Sequence, residues 1–329
     1  MKRLVISGTG SYLPERVVHN DELSLNLDTS HEWILSHTGI ESRHIVDEED
    51  SNSDMAARAG QAALEKAGIE AKDLGMVLVA TSTGDFGTFP ATACIVQQLL
   101  GAKDAGAFDI QAACTGFVYG LEIMRGLAYN NPKPMLLIGS EVLSRIVDWH
   151  DRNTCVLFGD GAGAAVLTSE EADADDLQNR GVIDSIMRAK GSGAKYLYRE
   201  GGTRPHQEGH HLVTPTVVME GRAVFAFAIK AIAEVIQHFL TKYNLTSDDV
   251  KYVVPHQANY RILKAAAAKL PIPEEKFYLN VREMANTSAA SVPIALDQMN
   301  NEGMLEQGDL IITVGFGGGL TYGGNLIRW

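Results

Sequence analysis

The chain has 329 residues, 45% of them hydrophobic and 21% charged, enough apolar material for one large core or two fused ones. Its formal net charge of −13 repels nucleic acid and anionic lipid, so neither is an expected partner, and an acidic partner needs a local basic patch. There is no uninterrupted run of about 18 apolar residues to suggest a membrane span. Three scattered cysteines, Cys94, Cys114 and Cys155, do not make a disulfide scaffold and fit a reducing cytoplasm.

The start, MKRLVISGTGSYLPE, reads as a first strand and turn, not a signal peptide. MAARAGQAALEKAG is helical, MVLVAT is a buried strand, and AFDIQAAC is a strand leading into the Cys114 turn. The helix GFVYGLEIMRGLA is apolar on nearly all sides and should be buried; the strands PMLLIG and GAAVLT follow. SEEADADDLQNRG (169–181) is acidic, has no apolar period and marks a seam. Beyond it come the helix RAVFAFAIKAIAEVIQHFL, the strand YVVPH, the segment YLNVREMANTSAASVPIAL and the strand LIITVG. This alternation predicts an α/β fold whose central strands are buried on both faces.

An internal repeat is visible. AALEKAGIEAKDLGMVLVATST parallels HFLTKYNLTSDDVKYVVPHQAN, which sets Ala80 opposite His256. AFDIQAACTG parallels YLNVREMANTS, setting Cys114 opposite Asn286, and LFGDGAGAAVL resembles GFGGGLTYGGNLI. Three matches in one order predict two related α/β halves, with a site between them.

Three polar residues stand where apolar runs meet small-residue turns. Cys114 opens a helix, where unpaired amides and the dipole favour a thiolate and can hold an oxyanion; otherwise it is a packed core cysteine, the reading left for Cys94 and Cys155. His256 ends a buried strand and either moves a proton or serves the structure. Asn286 donates from its amide or caps the following helix. The glycines of GDGAGA (159–164) and GFGGGLTYGG (315–324) lack the lysine and spacing of nucleotide loops, so they read as sites of close backbone approach or as amide donors. HQEGHH (206–211) reads as a polar loop and no metal site is expected. Arg261 and Lys264 share a helix face with Lys269 nearby: an ordinary solvated face, or a patch that steers an anionic partner.

Several of these motifs together resemble the 3-oxoacyl-acyl-carrier-protein synthase III family. The resemblance runs through GTGSYLPE, DTSHEWILSHTGI, the Cys114 turn, FGDGAGAAVL, PHQAN, NTSAASVPIALD and FGGG. It implies a thiolase fold with mixed sheets in α-β-α-β-α layers, divided as residues 1–170 and 171–329. It also implies decarboxylative Claisen condensation of a short acyl-coenzyme A with malonyl-acyl-carrier protein, the step that initiates type II fatty acid synthesis. By the same resemblance, Cys114 takes the acyl group, while His256 and Asn286 hold the malonyl thioester carbonyl. The amides of Cys114 and Gly318 form the oxyanion hole.

Thr29, Trp33, His37, Arg152 and Asn259 are the implied coenzyme A contacts, and Arg261, Lys264 and Lys230 those to acyl carrier protein. Phe89 is implied to close the acyl pocket across a homodimer. No cofactor is permanently bound; coenzyme A enters as the substrate thioester. Two departures from the family pattern stand out: His37 where Arg is frequent, and Ala226 where a Lys is common, with Lys230 one turn on. The segment 190–211 matches no pattern and leaves chain-length preference open. An alternative is a related acyltransferase or ketosynthase of secondary metabolism using acyl-coenzyme A; retention of Asn286 favours condensation. The absence of any Cys beyond Cys155 disfavours a thiolase.

Overall fold

The computed structural model describes residues 2–172, 177–199 and 216–329; HQEGHH (206–211) lies outside them. The strands in the first half are β1 (Lys2–Tyr12), β2 (Val17–His19), β3 (Ser42–His44), β4 (Met76–Ala80), β5 (Gly106–Ile110), β6 (Met135–Glu141) and β7 (Gly161–Glu171). Those that follow are β8 (Gly181–Ala189), β9 (Leu197–Arg199), β10 (Val217–Met219), β11 (Tyr252–Pro255), β12 (Leu310–Gly317) and β13 (Thr321–Arg328).

A five-stranded sheet has the order β1-β7-β6-β4-β5 and a four-stranded sheet the order β11-β12-β13-β8, while β2 pairs with β3 and β9 with β10. In the first sheet β5, β4 and β6 are parallel, and β7 and β1 are added antiparallel. The second repeats this plan, with β11 parallel to β12 and then β13 and β8 antiparallel. In place of β5 it has, among the described residues, only the parallel bridge between Val253 and Phe277. The central strands β6 and β12 are buried at every residue, which is why MLLIGSE and LIITVGFG read as continuous rather than alternating apolar runs.

The helices Gly116–Ala128 and Ser291–Asn301 lie between the sheets, in a core that joins Leu78, Phe117, Leu121, Val292, Leu296 and Ile311. Outside the first sheet lie Asn52–Ala67 and Thr92–Leu100, packed through Ala56, Ala63 and Val96 onto Val79 and Val166. Ser51 and Asp54 form a capping box at the start of Asn52–Ala67, and Gly68 ends that helix in the left-handed conformation. Gly221–Lys242 and Tyr260–Ala267 cover the second sheet through Ile232, Val235, Phe239 and Leu263. These are the α-β-α-β-α layers of the thiolase fold. By length and composition Gly221–Lys242 could cross a membrane, but here half of its apolar window is buried, against the second sheet.

The register of the repeat agrees with the sequence reading at one point and departs from it at another. Ala80 pairs with Gly139 of β6, and His256 continues β11 beside Gly315, with its N–H donated to Val314 O at 2.7 Å. Ala80 and His256 are therefore equivalent. Cys114 and Asn286 are not. Each central helix is preceded by a 3₁₀ turn, Ala113–Thr115 and Ser288–Ala290, whose first residue has positive φ, 46° at Ala113 and 49° at Ser288. Matching the turns sets Cys114 opposite Ala289, with Asn286 earlier in its segment. The cause is the short helix Val281–Met284, which occupies the approach to the second turn and has no counterpart before the first.

Both turns press against glycines. A Cβ on Gly139 would stand 2.2 Å from Ala289 O, and one on Gly315 would stand 3.1 Å from Thr115 Cα. Gly139→Ala is expected to lower stability by about 1–3 kcal/mol through overpacking, read as a lower urea midpoint. The control is Gly126→Ala on the exposed face of its helix, where a Cβ would meet nothing within 4 Å; it should instead stabilise by about 0.5–1 kcal/mol.

Candidate active site

A cavity of about 810 Å³ opens between the halves, within the range of small-molecule sites. Cys114, His256 and Asn286 all line it, as do Phe316, Gly317 and Gly318 of the Gly-rich turn. Three separate segments thus meet at one cavity.

Cys114 sits in the middle of its 3₁₀ turn, just before the helix that begins at Gly116. Thr115 Oγ1 and Thr321 Oγ1 lie 2.5 Å apart, and Thr321 also donates to Gly318 O at 2.9 Å, tying this turn to the Gly-rich one. A Cβ on Gly317 would come within 2.9 Å of Cys114 Cβ and 3.1 Å of its Sγ, so no side chain fits there. Sequence reasoning selected Gly318 and missed this neighbour.

The residue keeps partial exposure through the cavity. Yet desolvation pushes its thiol up to about 12; the polar Ser288 side chain opposes this and the Glu141 charge adds to it. The expected depressed pKa is therefore corrected: enclosure by protein outweighs the amides of the helix start. Of the other cysteines, Cys155 is buried and Cys94 is exposed rather than packed in a core.

His256 is 1% exposed. Burial pushes its pKa down to about 3, so the imidazole is neutral at ordinary pH. Nδ1 lies 2.6 Å from Ser291 Oγ, and the Phe316 ring stands edge-on at 5.1 Å. Gln257 fixes the loop behind it, its Oε1 accepting from Asn280 N and Val281 N and its Nε2 donating to Pro255 O and Tyr278 O.

Asn286 does not cap the helix Ser291–Asn301, whose start has no side-chain cap. Its backbone is clamped to the first half, with N–H donated to Leu157 O and C=O accepting from Gly159 N. Its Oδ1 accepts Ser288 N–H at 2.9 Å, which orients the amide on the cavity wall.

Ser288 links these groups. Its N–H holds Asn286, its C=O accepts from Ser291 Oγ at 2.9 Å, and its hydroxyl donates to Glu141 Oε1 at 3.0 Å. Sequence reasoning missed Ser288, Ser291 and Glu141. The available signals were the two serines of NTSAAS and a carboxylate ending the apolar strand MLLIGSE.

The cavity mouth gathers Trp33, His37, Arg152 and Asn259. Trp33 and His37 stack at 4.3 Å, and the Arg152 guanidinium lies 5.1 Å over the Trp33 ring. Arg152 is also held by Asp28, and His37 Nδ1 lies 2.7 Å from Trp33 O. Asn259 caps Tyr260–Ala267 through Arg261 N and donates to His37 O at 3.2 Å. Thr29 stands outside the lining, and its buried hydroxyl has no hydrogen-bond partner among the described residues. Arg261 and Lys264 are exposed on the helix after Asn259. Lys230 is set apart, on a second cavity of about 250 Å³ with Lys190 and Glu234. Phe89 is 83% exposed.

Family models match two stretches of the chain: that described as 3-oxoacyl-[acyl-carrier-protein] synthase III at residues 108–191, and that of its C-terminal part at residues 240–329. The beta-ketoacyl-[acyl-carrier-protein] synthase III of Clostridium beijerinckii is 48% identical over the full length of both chains. The crystal structure of 3-oxoacyl-[acyl-carrier-protein] synthase III from Aquifex aeolicus superposes with a TM-score of 0.89 at 42% identity, covering 99% of this chain and 100% of that one. The priming beta-ketosynthase of the R1128 polyketide pathway gives 0.90 at 32% identity, covering 99% and 96%.

The low pKa of His256 has a consequence for stability. Free histidine ionises near pH 6.5, so below that value the unfolded chain takes up a proton that the fold refuses. This contribution is intact above about pH 6.5 and is lost on acidification towards 3, at about 1.4 kcal/mol per pH unit. Urea unfolding at pH 7, 6 and 5 is expected to show His256→Gln losing less stability on acidification than the parent protein.

Proposed function

The chain belongs to the 3-oxoacyl-[acyl-carrier-protein] synthase III family of condensing acyltransferases, and from this we propose that it joins a short acyl-coenzyme A primer to malonyl-acyl-carrier protein with loss of carbon dioxide. The observation that carries the reading is the convergence of Cys114, His256 and Asn286 on one cavity. Cys114 attacks the primer thioester and keeps the acyl group as coenzyme A departs. The amides of Cys114 and Gly318 hold the oxyanion of that step. The malonyl thioester then enters, and its carbonyl oxygen accepts from His256 Nε2–H and Asn286 Nδ2. Decarboxylation leaves an enolate whose charge these donors stabilise. The enolate carbon attacks the acyl carbonyl, and the sulfur is released.

Neutral His256 suits this role. The Ser291 hydroxyl has one proton, which either Ser288 O or Nδ1 can accept; turned to Nδ1, it leaves Nε2 carrying the imidazole proton as the donor to substrate. Asn286 is held by its oxygen, at Ser288 N–H, which leaves its NH₂ for the carbonyl. At the mouth, Trp33 and Arg152 suit the adenine and phosphates of coenzyme A, with Thr29 and His37 beside them and Asn259 next to the pantetheine arm. Arg261 and Lys264 suit an acidic carrier protein, with Lys230 as a more distant contact. Phe89 suits a homodimer contact that closes the partner's acyl pocket. A related role in secondary metabolism draws support from the likeness to the R1128 priming ketosynthase; the malonyl step with Asn286 is common to both.

Exposure to a panel of acyl-coenzyme A thioesters, followed by intact-protein mass spectrometry, is expected to show an acyl adduct on the parent protein and none on Cys114→Ala. Asn286→Ala should still be acylated but lose malonyl decarboxylation by about 10²–10³-fold. Decarboxylation at the parent rate in that variant would overturn the reading.

A further inference from the structure

Glu141 ends β6 with no exposed surface, and no step above uses it. Its two oxygens face different halves of the molecule. Oε2 accepts from Ser82 N–H at 3.0 Å, from the Thr83 hydroxyl at 2.5 Å and from the Thr81 hydroxyl at 3.3 Å, all on the turn after β4. That turn is itself fastened: Asn52 Nδ2 donates to Thr81 Oγ1 at 2.8 Å, and Thr83 Oγ1 accepts Val142 N–H at 2.8 Å. Oε1 reaches across to the second half and accepts from the Ser288 hydroxyl at 3.0 Å. Donors of the turn satisfy the first oxygen. The second, among the described residues, has Ser288 alone.

Ser288 needs such a hold. Its φ is 49°, in the left-handed region that a residue with a side chain keeps only where its surroundings fix it. Ala285, just before Asn286, also has positive φ, 55°. Asn286 therefore lies between two residues in unfavourable backbone conformations. Its main chain is pinned to Leu157 and Gly159. Its carboxamide, among the described residues, is held only through Oδ1, by Ser288 N–H at 2.9 Å. Rotation of the Ser288 backbone out of the left-handed region would swing that N–H away and release the amide.

We propose that Glu141 is a positioning residue for the malonyl step: anchored to the turn after β4, it holds Ser288 in its left-handed conformation and so keeps the Asn286 NH₂ aimed at the malonyl carbonyl. This rests on Asn286 being a donor in that step. Glu141 touches no substrate in this role and moves no proton. The contact joins the two halves behind the cavity wall, where Ser82, Ser288 and Asn286 are all lining residues. A carboxyl group with two acceptor oxygens suits it, because all four of its partners donate. A carboxamide would turn an NH₂ towards a donor on one side or the other. Acyl transfer to Cys114 does not use Asn286, so it does not depend on this anchor.

The test is a double-mutant cycle of Glu141→Gln and Ser288→Ala in which two rates are followed. One is acylation of Cys114 by acetyl-coenzyme A, read by intact-protein mass spectrometry. The other is release of labelled carbon dioxide from malonyl-acyl-carrier protein. Each single variant should lower the kcat of decarboxylation at least about tenfold, as expected for a misplaced donor, and leave acylation within about twofold of the parent. The double variant should lose no more than the larger single loss, because both changes cut one contact. Melting curves establish that each variant is folded; should Glu141→Gln not fold, Glu141→Asp, one methylene short of Ser288, takes its place in the cycle. Folded variants that decarboxylate at the parent rate, that lose acylation in the same proportion, or whose losses multiply in the double variant would overturn the proposal. A parent protein that takes no acyl group and releases no carbon dioxide would overturn the function proposed above instead.

Discussion

The contact between two small turns governs the site. Ala113–Thr115 and Ser288–Ala290 each lead into a central helix and each press on a glycine of the opposite central strand, Gly315 and Gly139. A Cβ at either glycine would force the turns apart. Because the backbones can approach this closely, Cys114 from one half and Ser288 from the other line the same cavity. The remaining parts hang from Ser288: the Asn286 amide on its N–H, the Ser291–His256 pair on its carbonyl and Glu141 on its hydroxyl.

Burial sets the protonation states of these groups, and desolvation is the largest influence on each of them. It keeps the thiol protonated, the imidazole neutral and the carboxyl above its usual range. Such a site leaves Cys114 and His256 uncharged at rest. Fixed donors cost no reorganisation when an oxyanion or enolate forms, which is the condition under which they lower a barrier most.

The mouth is built on the opposite principle. The stacked Trp33 and His37 rings and the Arg152 guanidinium present planar and cationic surface to solvent. Arg261 and Lys264 add exposed positive charge beside them, on a chain whose overall charge is −13. A local basic rim on an acidic body discriminates between anions: it attracts one that reaches the rim and repels one that meets any other face.

The sequence by itself determined the elements and the outline of the site. The branched apolar runs of β4, β6, β11 and β12 could only be buried strands, and the alternation with Ala-rich helices could only give an α/β fold. Cys114, His256 and Asn286 were legible because each is a polar residue at the point where such a run stops. The repeat correctly paired Ala80 with His256, since both follow equivalent strands. It mispaired Cys114 with Asn286, because matching short apolar patterns cannot detect a helix such as Val281–Met284 inserted before a turn. Tertiary structure alone decided what the three groups touch and how they are protonated. Helix position argued for an acidic thiol, but the second half closes over Cys114 and burial outweighs the helix start. Ser288, Ser291 and Glu141 carry no local signature, because their partners lie in distant segments. A pKa depends on the surroundings that folding assembles, and those cannot be read from the neighbours of a residue along the chain.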